Sequence, residues 1–382
     1  MKHSDDASTK KLGTVCYLAP VFSPAIGGGV VYLELLSKYL VTEGVCEKFI
    51  IVTETFPGRA NNEISENGKL QVIRKYPFRA GRNVKELYSY FQYFWQNLQF
   101  YSLPKFVRQL PVDILMVHGS FLNNPSSLWN VLKLIRYFSP NIKIVADLRD
   151  PKLPMRKVST LKFFDLIISC SENITQRLEG DIDVYRKVRD IPIIVDVNRS
   201  NENDIMDAKL RYRLSGKVYV FSGSGLSVEK GAQRLLELVL EIRKKRRNVA
   251  LVVAGKRRAW GKNFKQAEQE DWFHYLGQIP HNDVLSLSAG SWLDVNLSTV
   301  DSMPRHSLEA LCSGARVILP KGVPEFDKEC PACIGYEERI EDLASKAIRI
   351  AESRQDPCGY RVDRNRPRSV INEYVCALSE LV

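Results

Sequence analysis

"VDSMPRHSLEALCSGARVILPKGVPE" (Val300–Glu325) carries two acids, Asp301 and Glu309, eight positions apart around one short helical pattern. Ser302 is placed to cap that helix, Pro304 falls in its first turn, and the helix is expected to run through Leu311. Gly314 stops it, and "ARVILP" reads as the next strand. Asp301 then sits just outside the helix, beside any ligand at its N-terminus, and Glu309 lies about two turns (~11 Å) further on. A carboxylate that accepts from two hydroxyls is an economical holder of a ribose. The plainer reading makes Asp301 a cap and Glu309 a surface residue, and the spacing leaves both open.

Outward from this stretch, apolar strand-like runs alternate with amphipathic helices. "TVCYLA" (Thr14–Ala19) reads as a buried strand, then "FSPAIGGG", then a helix from about Val30 on which Tyr32, Leu35, Leu36, Tyr39 and Leu40 keep helical spacing. "KFIIVTE", "DILMVHG", "KIVADLRD" and "DLIISCS" follow as strands, and the chain turns polar near Asp196, the expected domain boundary. A second series has "KVYVFSGSG", the helix "KGAQRLLELVLEIRKK", and the strands "NVALVVAGK", "FHYLGQI", "WLDVNLS" and "ARVILP". Repeated strand–helix units build parallel sheets covered on both faces, with ligands at the strand C-terminal ends. The expectation is therefore an α/β chain of two Rossmann-like, doubly wound domains facing a central cleft, over residues 1–192 and 193–360. A last helix within 361–382 would pack back on the first.

With 382 residues, 45% hydrophobic and 26% charged, the composition is that of an ordinary globular chain. No apolar run approaches the ~20 residues a membrane span needs. The first ten residues are polar and lack the apolar core of a signal peptide, so a cytoplasmic location is expected. The eight Cys show no regular disulfide spacing, and Cys16, Cys170 and Cys312 sit in apolar patterns as reduced core thiols do. Cys330 and Cys333 form one C-x-x-C with no second pair to complete a zinc site, so no metal is expected. A net charge of +11 points to anionic partners. Its densest cluster, "EIRKKRRN" (Glu241–Asn248), falls where cations complement a helix end, and no nucleic-acid-binding motif accompanies it.

Glycine-rich turns open both series. Gly27, Gly28 and Gly29 have the composition of a phosphate-approaching turn, although such loops also occur as plain tight turns. "FSGSGLSVEKGAQ" is the stronger signal, because Lys230 lies where its ammonium can meet a diphosphate; the plainer reading leaves it solvated in a first helical turn. The loop matches neither the P-loop nor the dinucleotide fingerprint. His118 ends the strand "DILMVHG", and Asp147 and Asp150 end the next, so neighbouring strand ends place His118 and one Asp on a shared wall; one Asp can instead cap the turn before Pro151.

The second half resembles the retaining, GT-B-fold glycosyltransferases of family 4 (glycosyltransferase group 1). The resemblance rests on Asp301-x7-Glu309 within "LEALCSGARVI", on the approach "YLGQIPHNDVLSLSAGSWLDVNLSTVD", and on "GSGLSVEKG" as a donor-phosphate loop. It implies a metal-independent hexosyltransferase with no cofactor beyond a nucleotide-diphosphate sugar of UDP or GDP type. By that resemblance Gly223, Ser224, Gly225, Lys230, Asp301, Ser302, Met303, Pro304, Arg305 and Glu309 line the donor site. Glu309 holds the ribose, Lys230 neutralises the diphosphate, and Asp301 meets the transferred sugar. His118 sits beside the reacting sugar, making His118, Asp301 and Lys230 the catalytic set. Gly27, Gly28 and Gly29 approach phosphate or acceptor, and Asp147, Arg149 and Asp150 fall on the acceptor side. The chain departs from the pattern twice: Asp301 stands where Glu is usual, and Ser224 where the loop usually carries Arg.

The implied acceptor is a saccharide or lipid-linked saccharide, in surface polysaccharide or glycoconjugate biosynthesis. Residues 76–110, dense in aromatics and cations, suit peripheral contact with an anionic membrane on its inner face; alternatively Tyr88, Phe91, Phe94 and Trp95 form a helix core stripe. "DID" (Asp181–Asp183) matches the D-x-D of metal-dependent glycosyltransferases but lies late in the first half, where no metal role is expected. The rival readings are a GT-B nucleotide-sugar epimerase and a catalytically silent GT-B-like binding module.

Overall fold

The computed structural model describes residues 11–25, 27–75, 102–123, 127–149, 155–257, 262–336, 339–354 and 358–382. The aromatic segment 76–101 and Asp150 lie outside them. The chain divides into two compact units, Met1–Ile194 with Asn365–Val382, and Val195–Arg364.

The first unit is built on an eight-stranded sheet. Its strands are β1 (Leu12–Leu18), β2 (Cys46–Thr53), β3 (Asn62–Ser65), β4 (Leu70–Arg74), β5 (Ile114–His118), β6 (Lys143–Leu148), β7 (Leu166–Ser169) and β8 (Val188–Asp190). The order is β3-β4-β2-β1-β5-β6-β7-β8, parallel except for β3. Strands covered on both faces read as unbroken apolar runs, which is why β1, β2, β5, β6 and β7 stand out in the sequence. The β3–β4 pair does not stand out. Its β3 is largely exposed, and the turn between them places Glu66, Asn67 and Gly68 at positive φ. The helix Pro367–Ser379 belongs to this unit and lies against the helix Gly28–Thr42.

The second unit has a six-stranded, all-parallel sheet. It comprises β9 (Val218–Ser222), β10 (Val249–Ala254), β11 (Phe273–Gly277), β12 (Leu293–Val295), β13 (Val317–Pro320) and β14 (Ile334–Gly335). Their order, β11-β10-β9-β12-β13-β14, is that of a doubly wound sheet, with the strand order reversing between β9 and β12. The helix Ala232–Lys245 buries Leu235, Leu236, Leu238, Val239 and Ile242, one stripe at helical spacing, against β10 and the helix Ile340–Glu352. The basic residues at its end are engaged locally. Lys244 pairs with Glu241 and Arg246 with Glu352, while the Arg243 guanidinium covers the Trp272 ring.

One sequence expectation is corrected. Ser302 does not cap the helix of the quoted stretch: the helix runs Arg305–Ser313, Pro304 occupies the cap, and Ser302 is buried. The proline carbonyl accepts from Ser307 and Leu308 N–H, so the chain enters helical geometry only after the ring that fixes its φ. Gly314 ends the helix at φ 94°, a left-handed value suited to glycine. The cysteines are not all reduced: Cys330 is bonded to Cys358, 28 residues on, while its C-x-x-C neighbour Cys333 is a separate buried thiol. The D-x-D is a structural feature. Asp181 accepts from Asp183 N–H to cap the turn Ile182–Tyr185, and both carboxylates face Lys162, at 3.3 and 2.9 Å. No helix among the described residues is long and apolar enough to cross a membrane.

Candidate functional site

In open parallel sheets the carboxyl ends at the strand reversal are left uncovered by helices, and ligands bind there. In the second unit this point is framed by the loops after β9 and β12. The first folds back on itself: Ser227 accepts from Lys230 and Ala232 N–H, and Gly231, at φ 69°, turns the chain into its helix. Thr299 N–H donates to the Glu229 carbonyl and ties the second loop to the first. Lys230 Nζ thereby meets Asp301, at 2.8 Å from Oδ1 and 2.6 Å from Oδ2. Their side chains remain 31% and 25% exposed, so the pair is reachable from solvent.

Glu309 is not a surface residue. It lies on the buried face of Arg305–Ser313. Arg305 Nε donates to its Oε1 at 2.6 Å, and His281 Nε2 stands 3.1 Å from its Oε2. Burial would push this carboxyl up, but the His281 hydrogen bond and the charges of Arg305, His281 and His306 outweigh it and hold it below its ordinary value. Met303 and Pro304 are buried beside Ser302, and Ser224 is half-buried. Asn296 is buried after β12, donates to Ser307 Oγ at 2.9 Å and accepts from Ser298 N–H, fixing the loop that presents Asp301.

Three contributors escaped the sequence reading: His281, His306 and Asp294. His306 Nε2 lies 3.1 Å from both Asp294 carboxylate oxygens and 3.2 Å from Gly223 N. Asp294 was the available signal, an acid inside the apolar strand "WLDVNLS", because a buried carboxylate needs a partner. The loop glycines have packing reasons. A Cβ at Gly223 would lie 2.4 Å from His306 Cε1, at Gly225 2.5 Å from the Lys256 carbonyl, and at Gly231 2.4 Å from the Leu297 carbonyl.

The first unit has its own reversal between β1 and β5. Gly27 caps the helix Gly28–Thr42 there, and His118 closes β5. His118 Nδ1 accepts from Ser120 N–H at 3.1 Å, with Ser120 Oγ 2.8 Å away, so the neutral imidazole carries its hydrogen on Nε2. That nitrogen is 4.0 Å from where a Cβ at Gly29 would stand. His118 and Asp147 are partners in the β5–β6 register, yet Asp147 points into the protein. Its fully buried carboxylate accepts from the Tyr17 hydroxyl and from Arg149 Nε, the latter at 2.7 Å. The Arg149 guanidinium covers the Tyr32 ring at 3.9 Å and donates to the Tyr32 and Tyr374 hydroxyls. Burial pushes all three tyrosine hydroxyls well up, keeping them neutral donors. The expectation that Asp147 and Arg149 face an acceptor is corrected: both are committed to a buried network.

No group of three or more metal-ligating side chains occurs among the described residues. No curated protein matches in sequence. Among solved structures, Anabaena HepE in complex with UDP and glucose superposes with a TM-score of 0.66 at 14% identity, over 96% of this chain and 99% of that one. The sucrose-phosphate synthase of Thermosynechococcus elongatus gives 0.68 at 15%, over 96% and 97%. A glycosyltransferase of Rickettsia africae gives 0.67 at 16%, over 97% of each chain. Residues 203–329, which hold both loops and the Arg305–Ser313 helix, match the family model described as glycosyl transferases group 1. The chain has the GT-B fold, and within its second unit residues 203–329 are similar to the glycosyl transferases group 1.

Proposed function

We propose that the protein is a retaining, metal-independent glycosyltransferase that moves a hexosyl group from a nucleotide-diphosphate sugar to a saccharide or lipid-linked saccharide. The observation that carries this reading is the convergence of Lys230, Asp301 and buried Glu309 around the β9–β12 reversal, within the matched region. A nucleotide-sugar donor is further supported by the UDP and UDP-glucose complexes of the Anabaena relative.

In this reading the second unit takes the donor and the first the acceptor. Glu309, held ionised, accepts from the ribose hydroxyls. Asp301, one methylene shorter than Glu, meets the sugar, and Lys230 exchanges its carboxylate partner for the diphosphate. Charge grows on the leaving phosphate as the anomeric bond breaks, so a fixed ammonium stabilises the transition state more than the ground state. The leaving phosphate takes the acceptor proton, and the Gly27–Gly29 turn and His118 Nε2–H orient the reacting groups. Surface polysaccharide or glycoconjugate assembly, at the inner face of a membrane contacted through residues 76–110, is the proposed setting.

Thermal-shift titration of UDP, GDP, ADP, CMP and their sugars tests the donor site. One nucleoside diphosphate should raise the Tm of the wild type and raise it far less in Glu309→Ala and Lys230→Ala. A wild type indifferent to every nucleotide would remove the reading, and nucleotide affinity without turnover on any acceptor would favour a silent binding module.

A further inference from the structure

His306 is placed by contacts that all fall on one ring nitrogen. Nε2 faces both oxygens of Asp294, whose side chain is 1% exposed, and Ser288 Oγ donates to that carboxylate from behind at 2.6 Å. The other edge of the ring faces the loop after β9. A Cβ on residue 223 would lie 2.4 Å from Cε1 and 2.7 Å from Nδ1. Among the described residues Nδ1 has no hydrogen-bond partner. Glycine at 223 therefore lets the loop pack closely against a ring whose orientation is fixed at Nε2.

The neighbouring cations are less free. Lys230 is held by Asp301 and Arg305 by Glu309, each through its charged end. With Nε2 facing Asp294 and accepting from Gly223 N–H at 3.2 Å, the ring hydrogen left to give is on Nδ1, in the neutral Nδ1–H tautomer and in the imidazolium alike. We propose that His306 Nδ1–H donates to a phosphate oxygen of the bound nucleotide sugar. The inference rests on the donor-site reading above and adds to it a residue outside the Asp301-x7-Glu309 pair.

The charged form is favoured by the surroundings. Burial pulls the imidazole down, Asp294 pushes it up by charge and hydrogen bond, Glu309 adds to that, Lys230 opposes it, and the net direction is upward. Asp294 faces the ring from β12, Lys230 from the loop after β9 and Glu309 from its own helix, with His281 beyond Glu309. The imidazolium adds a full charge to that donation, so binding is tightest below the ordinary histidine range of about 6.5 and weakens as pH rises through the raised value.

Calorimetric titration with UDP-glucose and GDP-mannose, whose diphosphates do not titrate in this range, decides the matter. Uridine and guanosine serve as phosphate-free controls. His306→Gln should weaken the nucleotide sugar that the wild type binds by about ten- to a hundredfold, leave nucleoside affinity unchanged and abolish the pH dependence. His306→Asn, which restores an N–H near the Nδ1 position, should lose less. A His306→Gln protein with wild-type affinity and pH profile overturns the proposal while the donor site stands. If that variant fails to fold, a pH-independent wild type overturns it equally. A wild type that binds neither sugar nucleotide removes the donor site, and this inference with it.

Discussion

A Cβ at Gly225 or Gly231 would strike a backbone carbonyl at 2.5 or 2.4 Å, whereas at Gly27 it would meet nothing within 4 Å. Both turns follow the first strand of a parallel sheet and both lead into a helix beside a strand-order reversal. The second unit's Gly225 and Gly231 are accounted for by close packing, and in the proposed reading its charged residues mark the binding site. In the first unit's turn Gly27 and Gly29 have no such neighbours among the described residues, so packing does not account for them. Composition weighted these loops the other way, because clash distances are invisible in sequence and Lys230 is not.

The largest effect is expected beneath the first turn. Arg149→Met strands the buried Asp147 carboxylate and should lower stability by about 3–5 kcal/mol, a Tm drop of roughly 6–20 °C. A drop below about 2 °C would mean the network does not hold the turn's helix. Next is Gly231→Ala, with a positive φ and a backbone collision, at about 2–4 kcal/mol in denaturant unfolding. An unchanged midpoint would break the packing side of the comparison.

Glu309→Gln sharpens the electrostatic side. The wild-type carboxyl lies below its ordinary value, so its contribution is present above the unfolded pKa of about 4.3 and lost as pH falls through the folded one. The stability gap between wild type and variant should be full at neutral pH and close on acidification; a gap constant down to pH 3 would contradict the assigned charge. The smallest structural effect belongs to Gly27→Ala. Gly27 has an extended φ of 167°, so stability should change by less than about 1 kcal/mol while transfer activity falls. Unchanged activity would leave the open turn without a role.

Much of the fold was legible in the sequence because doubly covered strands write themselves as apolar runs. The polar edge strand β3 did not, since one exposed strand of four residues resembles a loop. In the site, Lys230, Asp301 and Glu309 were legible through spacing. Glu309's burial was not, because it depends on His281, which an intervening strand and two loops separate from it in the chain. His306 stayed hidden for the same reason: only the sheet brings Asp294 and Gly223 to it. The Cys330–Cys358 pairing likewise needs the two segments in register, which cysteine spacing alone does not reveal.

Tyr374 contributes its hydroxyl to the Arg149 network from the helix Pro367–Ser379, while its partners all lie before residue 150. On the ribosome the first unit's strands emerge early, but its buried guanidinium lacks this partner until residues 365–382 have been made. At ~5–20 residues per second that interval is on the order of ten seconds or more, with the whole second unit synthesised inside it. The unit that starts folding first is therefore the one that finishes last.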